Sequence, residues 1–129
     1  ELGHIQHLLS LEIVSCDQVE NLPKQIGQLR TLQKLAIARC GSLSRLPSEI
    51  GCLQNLTCLQ IECCQRLNSL PEEIGNLRNL KSLTLDCVGL QFLPGEIWQL
   101  QSLQNLHIDR CPYMQLPPQF NDLWSTAGR

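Results

Sequence analysis

The chain has 129 residues and a net charge of −2 with a pI near 5.9, which leaves no cationic footprint for a nucleic-acid backbone. No run approaches the roughly 20 apolar residues that a membrane-spanning helix needs. Hydrophobic residues make up 43% of the chain but aromatics only 4%, so a core must be built from aliphatic side chains, chiefly Leu and Ile.

Residues 1–9 read as the tail of a repeating unit, because Ile5 and Leu8 match Leu29 and Leu32 one period later. The chain thus enters mid-repeat, which predicts further repeats upstream in a parent protein, since an open solenoid end exposes core. The alternative is that these residues form a makeshift cap. From Leu11 onward the doublets Leu11/Ile13, Leu35/Ile37, Leu59/Ile61, Leu83/Leu85 and Leu106/Ile108 recur. Their alternation predicts strands over 10–14, 34–38, 58–62, 82–86 and 105–109. Copies of one unit stack in one orientation, so the strands must be parallel.

Each strand is followed by a Leu-Pro pair, at Leu22-Pro23, Leu46-Pro47, Leu70-Pro71, Leu93-Pro94 and Leu116-Pro117, in steps of 24, 24, 23 and 23 residues. Proline suits the first turn of a helix. The triads Ile26/Leu29/Leu32, Ile50/Leu53/Leu56, Ile74/Leu77/Leu80 and Ile97/Leu100/Leu103 then recur every third residue, as a short 3₁₀ or α-helical turn requires to bury one side. Gly27, Gly51 and Gly75 follow the Ile, and Trp98 takes that place in the fourth unit. A return segment bulkier than a strand forces the stack to curve with the sheet inside.

The C-terminal units are irregular. Four residues separate Leu85 from Leu90 where five separate Ile37 from Leu43, so Val88 is expected inward and Cys87 toward the rim. The last unit carries Pro117-Pro118, which oppose further strand pairing. Phe120 and Leu123 fill the next core positions and Trp124 is the expected lid. The solenoid is therefore assigned to 1–123 and a cap and frayed tail to 124–129.

A fixed period of 23–24 residues containing L-x-x-L-x-I-x-x-C is the pattern of a leucine-rich repeat, an α/β solenoid of about five units with a concave parallel sheet and convex 3₁₀ or α turns. Within it, Cys16, Cys40, Cys64, Cys87 and Cys111 of the eight cysteines occupy one frame position. Neighbouring Cβ atoms in such a ladder stand about 4.8 Å apart, beyond disulfide range. The expectation is reduced, buried thiols and a cytoplasmic location, with Cys58 and Cys63 on the reactive sheet face.

No catalytic constellation is present. His4, His7 and His107 lie near no nucleophile motif, and no glycine-rich phosphate loop occurs. Cys52, Cys58, Cys63 and Cys64 lack the paired spacing of a zinc site, and Glu72-Glu73 read as a solvated turn. No enzyme, cofactor, metal or small-molecule substrate is expected. The informative residues are the outward ones on the strands. One row reads Glu12, Ala36, Gln60, Thr84, His107; the next reads Val14, Ala38, Glu62, Asp86, Asp109. In-register carboxylates repel one another, so the second row is read either as a site for a partner's basic group or as a wet, solubilising face. Arg39 and Arg110 flank it, and Lys34 completes the candidate protein-binding set. The return segments show no comparable patch.

The frame carried by Leu56, Leu59, Ile61, Cys64, Leu67, Leu70, Pro71 and Ile74 resembles the repeats of plant intracellular nucleotide-binding immune receptors over about residues 5–123. That resemblance implies a sensor that recognises a pathogen effector, a guarded host protein or other domains of its own chain. It also implies an element that holds the receptor inactive. Leu-Pro-x-x-Ile-Gly is similar to plant intracellular Ras-group repeat proteins as well, which would make the chain a signalling scaffold; those favour Asn where this chain has Cys. Extracellular plant receptor kinases carry Gly-x-Ile-Pro instead. The lone sequon Asn55-Leu56-Thr57 is too common a triplet to alter this reading.

Overall fold

A computed structural model describes residues 7–86, 89–111 and 114–115. Five strands form one parallel sheet in chain order: β1 (Ser10–Val14), β2 (Lys34–Ala38), β3 (Cys58–Glu62), β4 (Ser82–Asp86) and β5 (Asn105–Ile108). The register aligns identical frame positions. Leu11, Leu35, Leu59, Leu83 and Leu106 lie side by side, as do Ile13, Ile37, Ile61, Leu85 and Ile108. The last strand stops one residue short of the expected 109, although Asp109 still donates its N–H to the Leu85 carbonyl at 3.0 Å.

Between strands the chain returns through 3₁₀ segments at Lys24–Gln28, Ser48–Cys52, Glu72–Asn76 and Gly95–Gln99, on the convex side of the solenoid. The three-residue spacing of the apolar triads is the spacing of the hydrogen bonds. The Ile50 N–H donates to the Pro47 carbonyl at 3.1 Å, Leu53 to Ile50 at 3.2 Å, and Leu56 to Leu53 at 3.1 Å. With three residues per turn every third side chain points the same way, so Ile50, Leu53 and Leu56 are fully buried. Each such side chain contributes about 1.5–3 kcal/mol of hydrophobic stabilisation.

The inward doublets and the triads merge into one continuous core. Leu35, Ile37, Leu59 and Ile61 are fully buried, whereas Leu11 and Ile13 are only half-buried, because among the described residues β1 has a neighbouring strand on one side alone. On the return side the repeats approach closely at glycine. A Cβ on Gly51 would stand 2.7 Å from the Glu73 carbonyl oxygen and 3.0 Å from the Glu73 Cβ. Trp98 occupies the equivalent place in the fourth unit, half-buried; the segment of the next unit that would face it lies outside the described residues.

Four of the strands end in a left-handed residue that no glycine marks. Ser15, Arg39, Cys63 and Arg110 have φ of 57°, 54°, 55° and 51°, and each immediately precedes a ladder cysteine. A non-glycine residue there costs on the order of 1 kcal/mol. Hydrogen bonds hold it: the Arg39 N–H donates to the Glu62 carbonyl at 2.9 Å and the Cys63 N–H to the Asp86 carbonyl at 2.7 Å. The ladder thiol then turns back to the carbonyl two residues earlier, Cys40 Sγ to Ala38 at 3.5 Å and Cys64 Sγ to Glu62 at 3.4 Å. The Glu62 carbonyl thus accepts from Arg39 and from Cys64, using both lone pairs.

Cys40 and Cys64 are buried, as expected, but Cys16 and Cys111 are only half-buried. Cys111 was expected inside. It follows β5, beyond which no described strand pairs, so no described strand covers its far side. Cys58 and Cys63 are also half-buried rather than open, since flanking strands and turns cover part of each thiol. The expectations for Ile5, His4, Cys87, Val88, Phe120, Leu123, Trp124 and the 124–129 tail fall outside the described residues.

Candidate functional site

The outward rows form as the pattern requires. Glu12, Ala36, Gln60, Thr84 and His107 are register partners across the five strands, and Val14, Ala38, Glu62 and Asp86 are partners across the first four. Asp109 lies just past β5, and Lys34 opens β2 beside Ser10 and Cys58. Glu12, Lys34, His107 and Asp109 are exposed; Gln60, Glu62 and Thr84 are half-buried. Arg39 and Arg110 stand at the left-handed positions that close the strands, which turns them toward the end of this face.

At its C-terminal end the acidic row is partly neutralised by one of the two arginines that flank it. Arg110 grips Asp86 with both sides of its guanidinium fork: Nε donates to Oδ1 at 2.7 Å and Nη2 to Oδ2. The Arg110 backbone N–H meanwhile donates to Asp109 Oδ1 at 2.9 Å. The Asp86 side chain keeps 14% of its accessibility against 63% for Arg110. A fork of this kind fixes geometry as well as charge.

The hydrogen bonds from Arg110 hold the Asp86 carboxyl below its ordinary range. Partial burial opposes this, and the charges of Arg110 and His107 reinforce it. The same pair keeps Arg110 more firmly protonated. Asp86 is therefore a neutralised member of the row. Glu62 and Arg39 have no side-chain ion pair among the described residues, so Glu62 is the open carboxylate at the centre of the face. The N-terminal end is flatter: Ala36 and Ala38 sit beside Val14, which is 41% exposed.

Inside the sheet, burial pushes the Cys64 thiol pKa up, which favours the neutral, unreactive form. Among the described residues no group of three or more His, Cys, Asp or Glu gathers to hold a metal ion. Nor is any helix among the described residues long and apolar enough to cross a membrane. Asn55, the sequon asparagine, donates its amide to the Arg30 carbonyl at 2.6 Å, and Asn79 repeats the bond to Gln54 at 2.6 Å. That amide links one repeat to the next.

A family profile described as a leucine-rich repeat region matches residues 1–88. The chain belongs to the leucine-rich repeat family. Regions of this fold generally act as protein–protein interaction scaffolds. No curated protein matches this repeat domain in sequence. Among solved structures, the leucine-rich repeat domain of the type III effector XCV3220 (XopL) is similar with a TM-score of 0.68 and 25% identity, over 93% of this chain and 51% of that one. The Leptospira interrogans leucine-rich repeat protein LIC12759 is similar at 31% identity with a TM-score of 0.48, over 83% of this chain and 34% of its own. This repeat domain thus spans about half the length of the effector domain it resembles.

Proposed function

We propose that this repeat domain recognises a protein partner on its concave sheet, without enzymatic activity, as the ligand-sensing and autoinhibitory repeat segment of a plant intracellular immune receptor. The observation that carries the reading is the contrast between the sheet's two sides. Inward positions repeat the same aliphatic residues, while outward positions change with every strand and offer apolar, acidic and basic groups in turn. The frame with Cys at the ladder position supports the receptor assignment over a constitutive scaffold. Residues 1–123 form the recognising solenoid in this reading, and a cytoplasmic location follows from the thiol ladder. The contact set is Glu12, Lys34, Arg39, Gln60, Glu62, Thr84, His107, Asp109 and Arg110, with Asp86 acting through Arg110.

The test co-expresses this domain in plant cells with the nucleotide-binding half of such a receptor. Binding in trans and suppression of its cell-death signal are expected. Glu62→Lys with Asp109→Lys should abolish both, whereas Glu49→Lys with Glu96→Lys on the convex side should leave both intact. Binding without suppression would favour the scaffold. Loss only in the convex variant would overturn the face assignment.

A further inference from the structure

The return side holds a feature independent of the concave face. A convex groove of about 420 Å3 is lined by Arg30, Gly51, Cys52, Gln54, Asn76 and Arg78. A second, of about 460 Å3, shares Asn76 and Arg78 with it. Gly51, one of the first groove's lining residues, packs closely against Glu73 of the next unit. No carboxylate lines either groove, although the whole chain is net negative.

The two guanidiniums have no ion-pair or hydrogen-bond partner among the described residues, and both arginines are exposed. The surrounding backbone is tied down. Asn55 bonds the Arg30 carbonyl, and Gln54 Nε2 donates to the Gly51 carbonyl at 2.9 Å and reaches the Asn76 carbonyl at 3.4 Å. Gln54 is thus occupied in joining two repeats, which leaves Arg30, Arg78 and the Asn76 amide to face a ligand.

We propose that this groove binds an acidic segment of a partner protein that presents two carboxylates about three residues apart. Arg30 and Arg78 hold the same frame position two repeats apart; the sheet-side rise of about 4.8 Å per repeat sets a lower bound of roughly 10 Å on their backbone separation, and their long flexible stems let the guanidiniums converge on that span. A polyproline-II segment advances about 3.1 Å per residue with three residues per turn, so Glu-x-x-Glu presents both carboxylates on one face at about that step. Each carboxylate can accept a two-pronged, charge-assisted bond from one guanidinium. A nucleic-acid backbone fits less well. A continuous polyanion would run past Glu49 and Glu73, which pack against Gly27 and Gly51 beside the groove, while a short acidic segment needs to meet only the two cations.

The experiment titrates the full chain at low salt with a capped Glu-Gly-Ser-Glu peptide, followed by backbone amide chemical shifts. Saturable shifts confined to residues 29–31, 51–54 and 75–79 are expected. Arg30→Ala and Arg78→Ala should each weaken binding about tenfold, and Arg66→Ala, an exposed arginine outside the groove, should not. A capped Glu-Glu peptide of equal charge should bind several-fold more weakly. The proposal is overturned by any of three results: no saturable binding at millimolar peptide, unchanged affinity in the two arginine variants, or tighter binding of inorganic phosphate or a short DNA strand at the same residues.

Discussion

Inward, each strand presents the same kind of aliphatic pair, from Leu11 and Ile13 to Leu106 and Ile108. Outward, it presents a different pair each time: Glu12 and Val14, Ala36 and Ala38, Gln60 and Glu62, Thr84 and Asp86. The inward side packs each layer against a near-copy of itself, so a change in one unit misfits both neighbours. The outward side meets only adjacent strands and water, so it tolerates any residue that does not repel its neighbour. Where repulsion would arise, between Glu62 and Asp86 in register, Arg110 supplies the compensating charge.

The contrast is broken most severely by placing charge on the inward side. Cys64→Asp should cost on the order of 4 kcal/mol or prevent folding, because it buries an unpaired carboxylate; urea denaturation reads the loss. The same column can be probed without mutation. In native protein a thiol reagent should modify Cys58 and Cys63 well before Cys40 and Cys64, as mass mapping would show, and equal rates would mean the ladder is open.

Next in size is the return side. Gly51→Ala brings a Cβ against the Glu73 carbonyl, whose backbone cannot yield as a flexible side chain would. A loss of about 1–3 kcal/mol is expected. Gly95→Ala, where nothing stands within 4 Å, is the matched control and should be near neutral.

Smallest is the outward pair. The folded pKa of Asp86 is depressed, so its contribution to stability is present above the unfolded value of about 3.9 and lost as pH falls through the lower folded value. Arg110→Ala should raise the Asp86 titration midpoint toward the ordinary range, seen in its carboxyl chemical shift. It should also remove that acid-dependent loss. An unmoved midpoint would mean that Arg110 does not hold Asp86 in solution.

Strands and return turns were legible almost residue by residue, because a repeat prints its register five times over. The left-handed residues were not: Ser15, Arg39, Cys63 and Arg110 share no single side-chain chemistry, and at the first three the N–H is held by a carbonyl of the next repeat. Arg110 was placed beside the acidic row from its position alone, but its two-pronged hold on Asp86 depends on the turn that aims it. The convex arginines are not legible in the sequence because Arg30 and Arg78 occur in alternate units, with Gln54 between them, and only stacking brings them to one groove.

The central claim is that fold and recognition occupy opposite sides of the same strands, and adjacent residues of β3 test it most directly. Leu59 is fully buried and Gln60 faces outward. Leu59→Ala should lower unfolding free energy by about 3 kcal/mol, and Gln60→Ala should change it by no more than about 0.5 kcal/mol. Comparable losses at the two positions would contradict the account.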